Sequence, residues 1–316
     1  MKLLLLNDSP LLNYGLASGF SANDDIRFLP VHLPNWDNLF EDLMRTWKPD
    51  YALAEGVSIS TVARNLFPLL RRHSLPLIYW AIDDPPDWHR MSRPLARGAR
   101  LVLTPAKECL PLYQREKIRA YYFHFACNPS FHSPRQPLPE YTCDLLLVAN
   151  YYTSYPQRKV GIETILTPLL RGEFKLNVFG NEHWLSNTDH YTLSQNIYHG
   201  YLPYARLPSA YSSAKIVLGL HSVTNSPTMM SMRTFEVLGT RAFFLTHWTP
   251  AIEGLFKNHV HLVWSRHPDE TLELVRFYLK RDDLRAKIAR QGQEEVYRNH
   301  TYHQRIESIR ALIEKK

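Results

Sequence analysis

Arg233 and Glu236 stand three residues apart in Ser231-Met-Arg-Thr-Phe-Glu-Val-Leu-Gly239. On a helix that spacing puts both side chains on one face, while Phe235 and Leu238 fall on the other side and pack inward. A helix start that aims backbone N–H groups, Arg233 and Thr234 at one spot suits a diphosphate. A glutamate one turn later can accept two hydrogen bonds from a ribose diol. The competing reading is a surface i,i+3 ion pair.

Ligands of open α/β sheets sit beyond the carboxyl ends of the strands, which nominates further groups. Asn150 follows one apolar run of the second half, with Arg158 and Lys159 at a helix start beyond it. Basic residues there would neutralise a diphosphate without a metal; flanking a surface helix is the alternative. Gly180, followed by Asn181 and Trp184, would allow a ligand close approach, and Tyr201 could stack on a base or simply pack. In the first half, Gly15 and Gly19 suggest a close turn after the first strand, without the spacing of a dinucleotide-binding loop. Asp83, Asp84 and His89 lie in Ile82-Asp-Asp-Pro-Pro-Asp-Trp-His89. Asp83, Asp84 and Asp87 formally spell D-D-x-x-D, but Pro85-Pro86 forbids the continuous helix that a magnesium site of that kind needs. One of the aspartates, or His89, could instead deprotonate a hydroxyl. Capping a turn is the competing role. The fifteen histidines show no metal-ligand spacing, so the metal expectation is none.

Arg233-x-Phe235-Glu236, followed by Phe244-Leu245-Thr246, resembles the donor-side signature of the CgeB/YkvP-type glycosyltransferase-like family (group 1 type). Asn177-Val-Phe-Gly-Asn-Glu-His-Trp184 is similar to that family's strand-turn before the donor pocket. Gly200-Tyr-Leu-Pro-Tyr204 with Tyr211–Leu220, and His300-Thr-Tyr-His-Gln-Arg305, also agree with it. The matches cover roughly the C-terminal half. The resemblance implies a GT-B fold, a nucleotide-diphosphate sugar as co-substrate with no other cofactor, and transfer to an unidentified acceptor: glycan, protein or nucleic acid. Many retaining enzymes of that fold carry two glutamates separated by seven residues. With Glu236 as the second, the first falls on Thr228, whose hydroxyl cannot replace a carboxylate. Thr228 is read instead as a helix N-cap. A DNA-base-modifying glycosyltransferase and a non-catalytic nucleotide-sugar-binding protein are the alternatives.

These residues need elements to hold them. Apolar runs alternate with helical stretches throughout, the signal of parallel sheets covered by helices. Strands are predicted at Leu3–Leu6, Tyr51–Ala54, Leu77–Ile82, Leu101–Thr104 and Ala120–Phe125. Asn128–Glu140, with four prolines, reads as a linker. Strands then recur at Leu145–Ala149, Leu176–Phe179, Ile197–His199, Ile216–Leu220, Ala242–Thr246 and His261–Trp264. Helices are expected at Thr61–His73, Gly161–Leu170, Met229–Leu238 and Asp282–Glu314. The predicted class is α/β, with two doubly wound Rossmann-like domains: residues 1–135 for the acceptor, 136–290 for the donor, and a helix over 291–316 packing back on the first. In a GT-B fold the site lies in the cleft between them.

The chain has 316 residues, 45% of them apolar, enough for two cores. The opening apolar run is too short for a signal peptide, and no run approaches a membrane span. Cys109, Cys127 and Cys143 lack C-x-x-C pairing and suggest free thiols in the cytoplasm. The net charge of +7 is scattered and forms no recognisable nucleic-acid motif.

Overall fold

The computed structural model describes residues 1–152, 154–170, 174–186 and 192–314. The chain forms two compact units. The first comprises Met1–Phe125, Pro227–Met229 and Tyr302–Lys316; the second comprises Ala126–Ser226 and Met230–Thr301.

The first unit is built on a six-stranded, wholly parallel sheet: β1 (Lys2–Leu5), β2 (Asp25–Phe28), β3 (Tyr51–Glu55), β4 (Leu77–Trp80), β5 (Leu101–Thr104) and β6 (Ala120–Tyr122), in the order β2-β1-β3-β4-β5-β6. The central strands are uninterrupted apolar runs because both faces are covered. Leu4, Ala52, Leu77 and Tyr79 join Phe40 and Leu66 of the helices Trp36–Thr46 and Ala63–Arg72 in one core. Asp25-Ile-Arg-Phe28 escaped the sequence reading because it is a short, half-exposed edge strand with polar residues at alternate positions. The last helix of the chain, Tyr302–Glu314, also belongs to this unit. It explains Gly15 and Gly19: a Cβ on Gly19 would lie 2.5 Å from the Tyr302 carbonyl oxygen and 2.6 Å from Ile306, and one on Gly15 would lie 2.8 Å from the Tyr302 ring. Both glycines make room for a helix, not for a ligand.

The second unit carries a five-stranded parallel sheet: β7 (Cys143–Val148), β8 (Leu176–Phe179), β9 (Ala214–Gly219), β10 (Phe244–His247) and β11 (Val263–Ser265), ordered β11-β10-β9-β7-β8. Leu145, Ile165, Val178, Trp184, Ile216, Leu245 and Ile288 form its core. The proline-rich stretch after Asn128 is packed here rather than serving as a linker. His132 is buried; its ring accepts from the Asn128 N–H at 2.9 Å, and its carbonyl accepts from the Tyr297 hydroxyl at 2.8 Å. The unit boundary accordingly falls at Phe125–Ala126.

Other elements differ from expectation for local reasons. Ile197–His199 contributes only a bridge, Val178 to Tyr198. Residues 158–169 form one α-turn followed by wider and tighter turns, with Pro168 in the last. The long C-terminal helix breaks into Asp282–Asn299 and Tyr302–Glu314. No proline or glycine causes the break. The His300 carbonyl accepts the Cys127 N–H at 2.9 Å and Thr301 bridges Cys127, so tertiary pairing overrides helix propensity.

Candidate functional site

In the second unit the carboxyl ends of β7, β9 and β10 gather the polar residues. Arg158 opens the turn Arg158–Gly161 and is buried, at 5% exposure. Its Nη1 donates to Ser222 Oγ at 2.9 Å and its guanidinium lies 5.1 Å from the centre of the Tyr152 ring. Among the described residues Nε has no partner and no carboxylate pairs with the group. Burial lowers Arg158 to about 10; the positive charge of Arg233 pushes the same way and Tyr152 opposes it. A cation held out of water without an anion is expensive, and an anionic ligand is the chemistry that would relieve it.

His221 and His247 flank this group, 5.0 Å apart between ring centres. His221 Nδ1 accepts from the Ser231 N–H at 3.0 Å, so Nε2 carries the proton and donates to Thr246 Oγ1 at 3.0 Å; that hydroxyl donates onward to the Gly219 carbonyl. Burial, with Arg158 nearby, lowers His247 to about 3, and His221 is lowered by burial, His247 and Arg158. Both rings are neutral at physiological pH, which leaves Arg158 the cation of this cluster.

Arg233 opens the helix Arg233–Gly239. Its Nη1 donates to Glu236 Oε2 at 2.5 Å, and Glu236 Oε1 accepts from the Tyr204 hydroxyl. The Glu236 side chain is 2% exposed and that of Arg233 29%. Burial would raise the Glu236 carboxyl, but Arg233, then His132 and Tyr204, hold it below its usual range. Burial would lower Arg233, and Glu236 foremost drives it upward instead. The pair is thus an ion pair, but a buried one, and Glu236 has little surface left for a ligand. Thr234 is fully buried.

The first unit presents carboxylates at the same edge of its sheet. The chain runs from β1 outward to β2 and returns to β3 on the other side of β1, which makes β1/β3 a topological switch point, the usual place for a ligand crevice. Asn7 follows β1 and Glu55 ends β3; Asn7 Nδ2 donates to Glu55 Oε1 at 3.2 Å. Burial raises Glu55 to about 7, against the hydrogen bonds from Ser9 and Asn7 and with help from Asp83. Asp83 is half-buried, and its Oδ2 has no partner among the described residues. Burial first, then Asp87 and Asp84, raise it to about 6. Asp84 plays another part. It is fully buried, and its Oδ2 accepts from Thr104 at 2.7 Å and Tyr113 at 2.8 Å, tying the loop after β4 to β5 and the helix Leu110–Arg115. His89 points to solvent.

Residues 158–311 match the family described as glycosyl transferase-like. Over that stretch, just under half of the chain, the protein is similar to glycosyl transferase-like enzymes. No curated protein matches the chain by sequence. Among solved structures, HepE from Anabaena in complex with UDP and glucose aligns over 100% of both chains with a TM-score of 0.65 at 10% identity. T4 phage β-glucosyltransferase aligns over 99% of this chain and 100% of its own, with a TM-score of 0.63 at 12% identity. Sucrose-phosphate synthase from Thermosynechococcus elongatus aligns over 98% and 97%, with a TM-score of 0.62 at 10% identity. At these identities the likeness establishes the fold, which is GT-B: two Rossmann-like α/β units.

The structure brings Arg158 near enough to Arg233 to feel its charge and leaves several other candidates aside. Lys159 is exposed and pairs with Glu163 at 3.7 Å. Asn150 is exposed and donates to Tyr152 at 3.3 Å. Tyr201 is 71% exposed. Gly180 is required by its own fold, since a Cβ there would meet the Ala149 carbonyl at 2.2 Å. Thr228 caps no helix; the helix starts five residues later, and Thr228 belongs to the first unit, where Oγ1 accepts the Lys107 N–H at 3.0 Å and its carbonyl accepts from His124. Sequence reasoning missed Glu55. A signal existed: a charged residue followed by glycine at the end of the apolar run Tyr-Ala-Leu-Ala. Among the described residues, no group of three or more His, Cys, Asp or Glu side chains could hold a metal ion, and no helix is long and apolar enough to cross a membrane.

Proposed function

We propose that the chain transfers a sugar from a nucleotide-diphosphate sugar to an acceptor hydroxyl, with the donor on the second unit and the acceptor on the first. The observation that carries this reading is Arg158, buried with no carboxylate partner among the described residues, at the carboxyl edge of the unit that contains the stretch similar to glycosyl transferases. Arg158 takes the diphosphate, and Arg233, braced by Glu236, adds a second positive charge as the leaving group departs. Asp83 is the group of the first unit best suited to accept the acceptor's proton: half-buried, with one oxygen unpartnered among the described residues and a raised pKa of about 6. Asp87 and Asp84 set its electrostatic surroundings. Asp84 holds the loop, and His89 drops out of the mechanism.

The finer reading belongs to the same proposal. The donor-side motif supports a CgeB/YkvP-type enzyme, the two arginines support neutralisation of the leaving group without a metal, and three buried free cysteines fit a cytoplasmic location. One T4 phage BGT structure holds UDP with Mn2+, so metal dependence is tested directly. The decisive experiment is a thermal-shift screen over UDP-, GDP-, ADP- and TDP-sugars, with and without Mn2+ and EDTA. The expected result is stabilisation by one nucleotide series, unchanged by EDTA and absent in Arg158→Met. No stabilisation by any of them overturns the reading.

A further inference from the structure

The amino ends of β9 and β10, opposite the edge that carries Arg158, border a cavity of about 440 Å³ within the second unit. That volume falls in the range of small-molecule sites. Its polar wall includes Arg135, Lys215, Arg241 and Arg285, and its apolar wall includes Phe243 and Ala289. Two of the four cations are already neutralised: Lys215 by Asp144 at 2.8 Å, and Arg285 by Asp282 at 2.6 Å. Among the described residues the Arg135 side chain donates only to the carbonyls of Ser130 and Phe131. The Arg241 side chain has no hydrogen bond or ion pair among the described residues, and it is exposed. Two positive charges therefore line this cavity without an ion-pair partner among the described residues, beside Asp282, which is held by Arg285.

The backbone at Arg241 is informative as well. The residue directly follows the C-cap of the helix Arg233–Gly239, with φ at 57°. Helices often end on such a left-handed residue, and glycine is the usual occupant because it adopts that conformation without strain. An arginine here is the less comfortable choice for folding, yet it points a cation at the cavity.

We propose that this cavity is a second anion site, separate from the donor site, which takes a small phosphate ester with Arg241 and Arg135 on the phosphate and the Phe243–Ala289 wall against the body of the ligand. It lies at the end of the sheet away from Arg158, so its occupant is an effector rather than a reacting group.

Titration calorimetry with inorganic phosphate and with ribose 5-phosphate tests this on the full chain and on Arg241→Gly, Arg135→Ala and Arg158→Met. The wild type binds ribose 5-phosphate more tightly than phosphate, and Arg241→Gly weakens both at least tenfold while melting no lower than the wild type. Arg135→Ala, whose side chain bonds only backbone carbonyls, gives a similar loss, and Arg158→Met leaves both affinities within twofold. Wild-type binding that survives in Arg241→Gly and Arg135→Ala overturns the proposal. So does binding abolished by Arg158→Met, which would put all anion binding at the donor site, and so does the absence of binding to the wild type at millimolar concentration.

Discussion

The two units present the same edge of the same kind of sheet, and charge it oppositely. The carboxyl edge of the second unit buries a cation, Arg158, among neutral histidines, while that of the first unit crowds Glu55 and Asp83 together and lifts both pKa values. Burial is the common cause, and it acts by penalising charge. At a guanidinium the penalty leaves a group that seeks an anion. At a carboxylate it leaves a group that gains or gives a proton near neutral pH. One architecture thus offers a group suited to an anion at one edge and groups able to exchange a proton at the other, according to which ion it buries.

The comparison breaks most visibly if the acidic edge is not chemical. Asp83→Asn is expected to reduce turnover by about 10²–10⁴-fold, the usual contribution of a general base, with nucleotide affinity unchanged by calorimetry. Asp84→Asn should instead melt earlier and lose activity only as it unfolds. Equal effects at both positions would erase the distinction between them.

The raised pKa of Glu55 makes a second, thermodynamic prediction. Unfolded, Glu55 ionises near 4.5; folded, it keeps its proton to about 7. Between those values the native state binds more protons than the unfolded one, so stability falls as pH rises through this window, by about 3 kcal/mol at most. Denaturant melts at pH 5 and pH 8 should show that fall, and Glu55→Gln should flatten it.

On the basic edge, Glu236→Gln should destabilise the fold by about 2–3 kcal/mol, below the usual range for a broken buried pair because Arg233 keeps some solvent contact. A loss in denaturant melts under about 1 kcal/mol would show that Arg233 needs no internal partner. Arg158→Met should weaken nucleoside-diphosphate binding by about 10–100-fold, the value of a charged hydrogen bond, with no loss of melting temperature. Lys159→Ala, on the exposed side of the same turn, serves as the neighbouring control and should stay within about twofold.

Much of the framework was legible along the chain. Buried parallel strands are continuous apolar runs, so β1, β3, β4, β5, β7, β8, β9 and β10 stand out in the order of residues alone. The pairing of Arg233 with Glu236 follows from a spacing of three on a helix, and the three cysteines, all buried and unbridged, agree with their spacing. The edge strand β2 was hidden because half-exposed strands mix polar residues into the pattern.

What the chain could not reveal is which of two like residues is buried, because burial is decided by partners distant in sequence. Arg158 and Lys159 are adjacent cations; the fold turns one under Tyr152 and Ser222 and the other to solvent. Asp83 and Asp84 are adjacent carboxylates, each with one oxygen unpartnered among the described residues; Thr104 and Tyr113 hold the other oxygen of Asp84, which is fully buried, while Asp83 stays half-buried. Glycines that looked fit for a ligand serve the packing of Tyr302 and Ala149. Residue types and their periods determined the sheets and the kinds of chemistry within reach; only the tertiary structure, by withdrawing particular charges from water, decided which residues have that chemistry to offer.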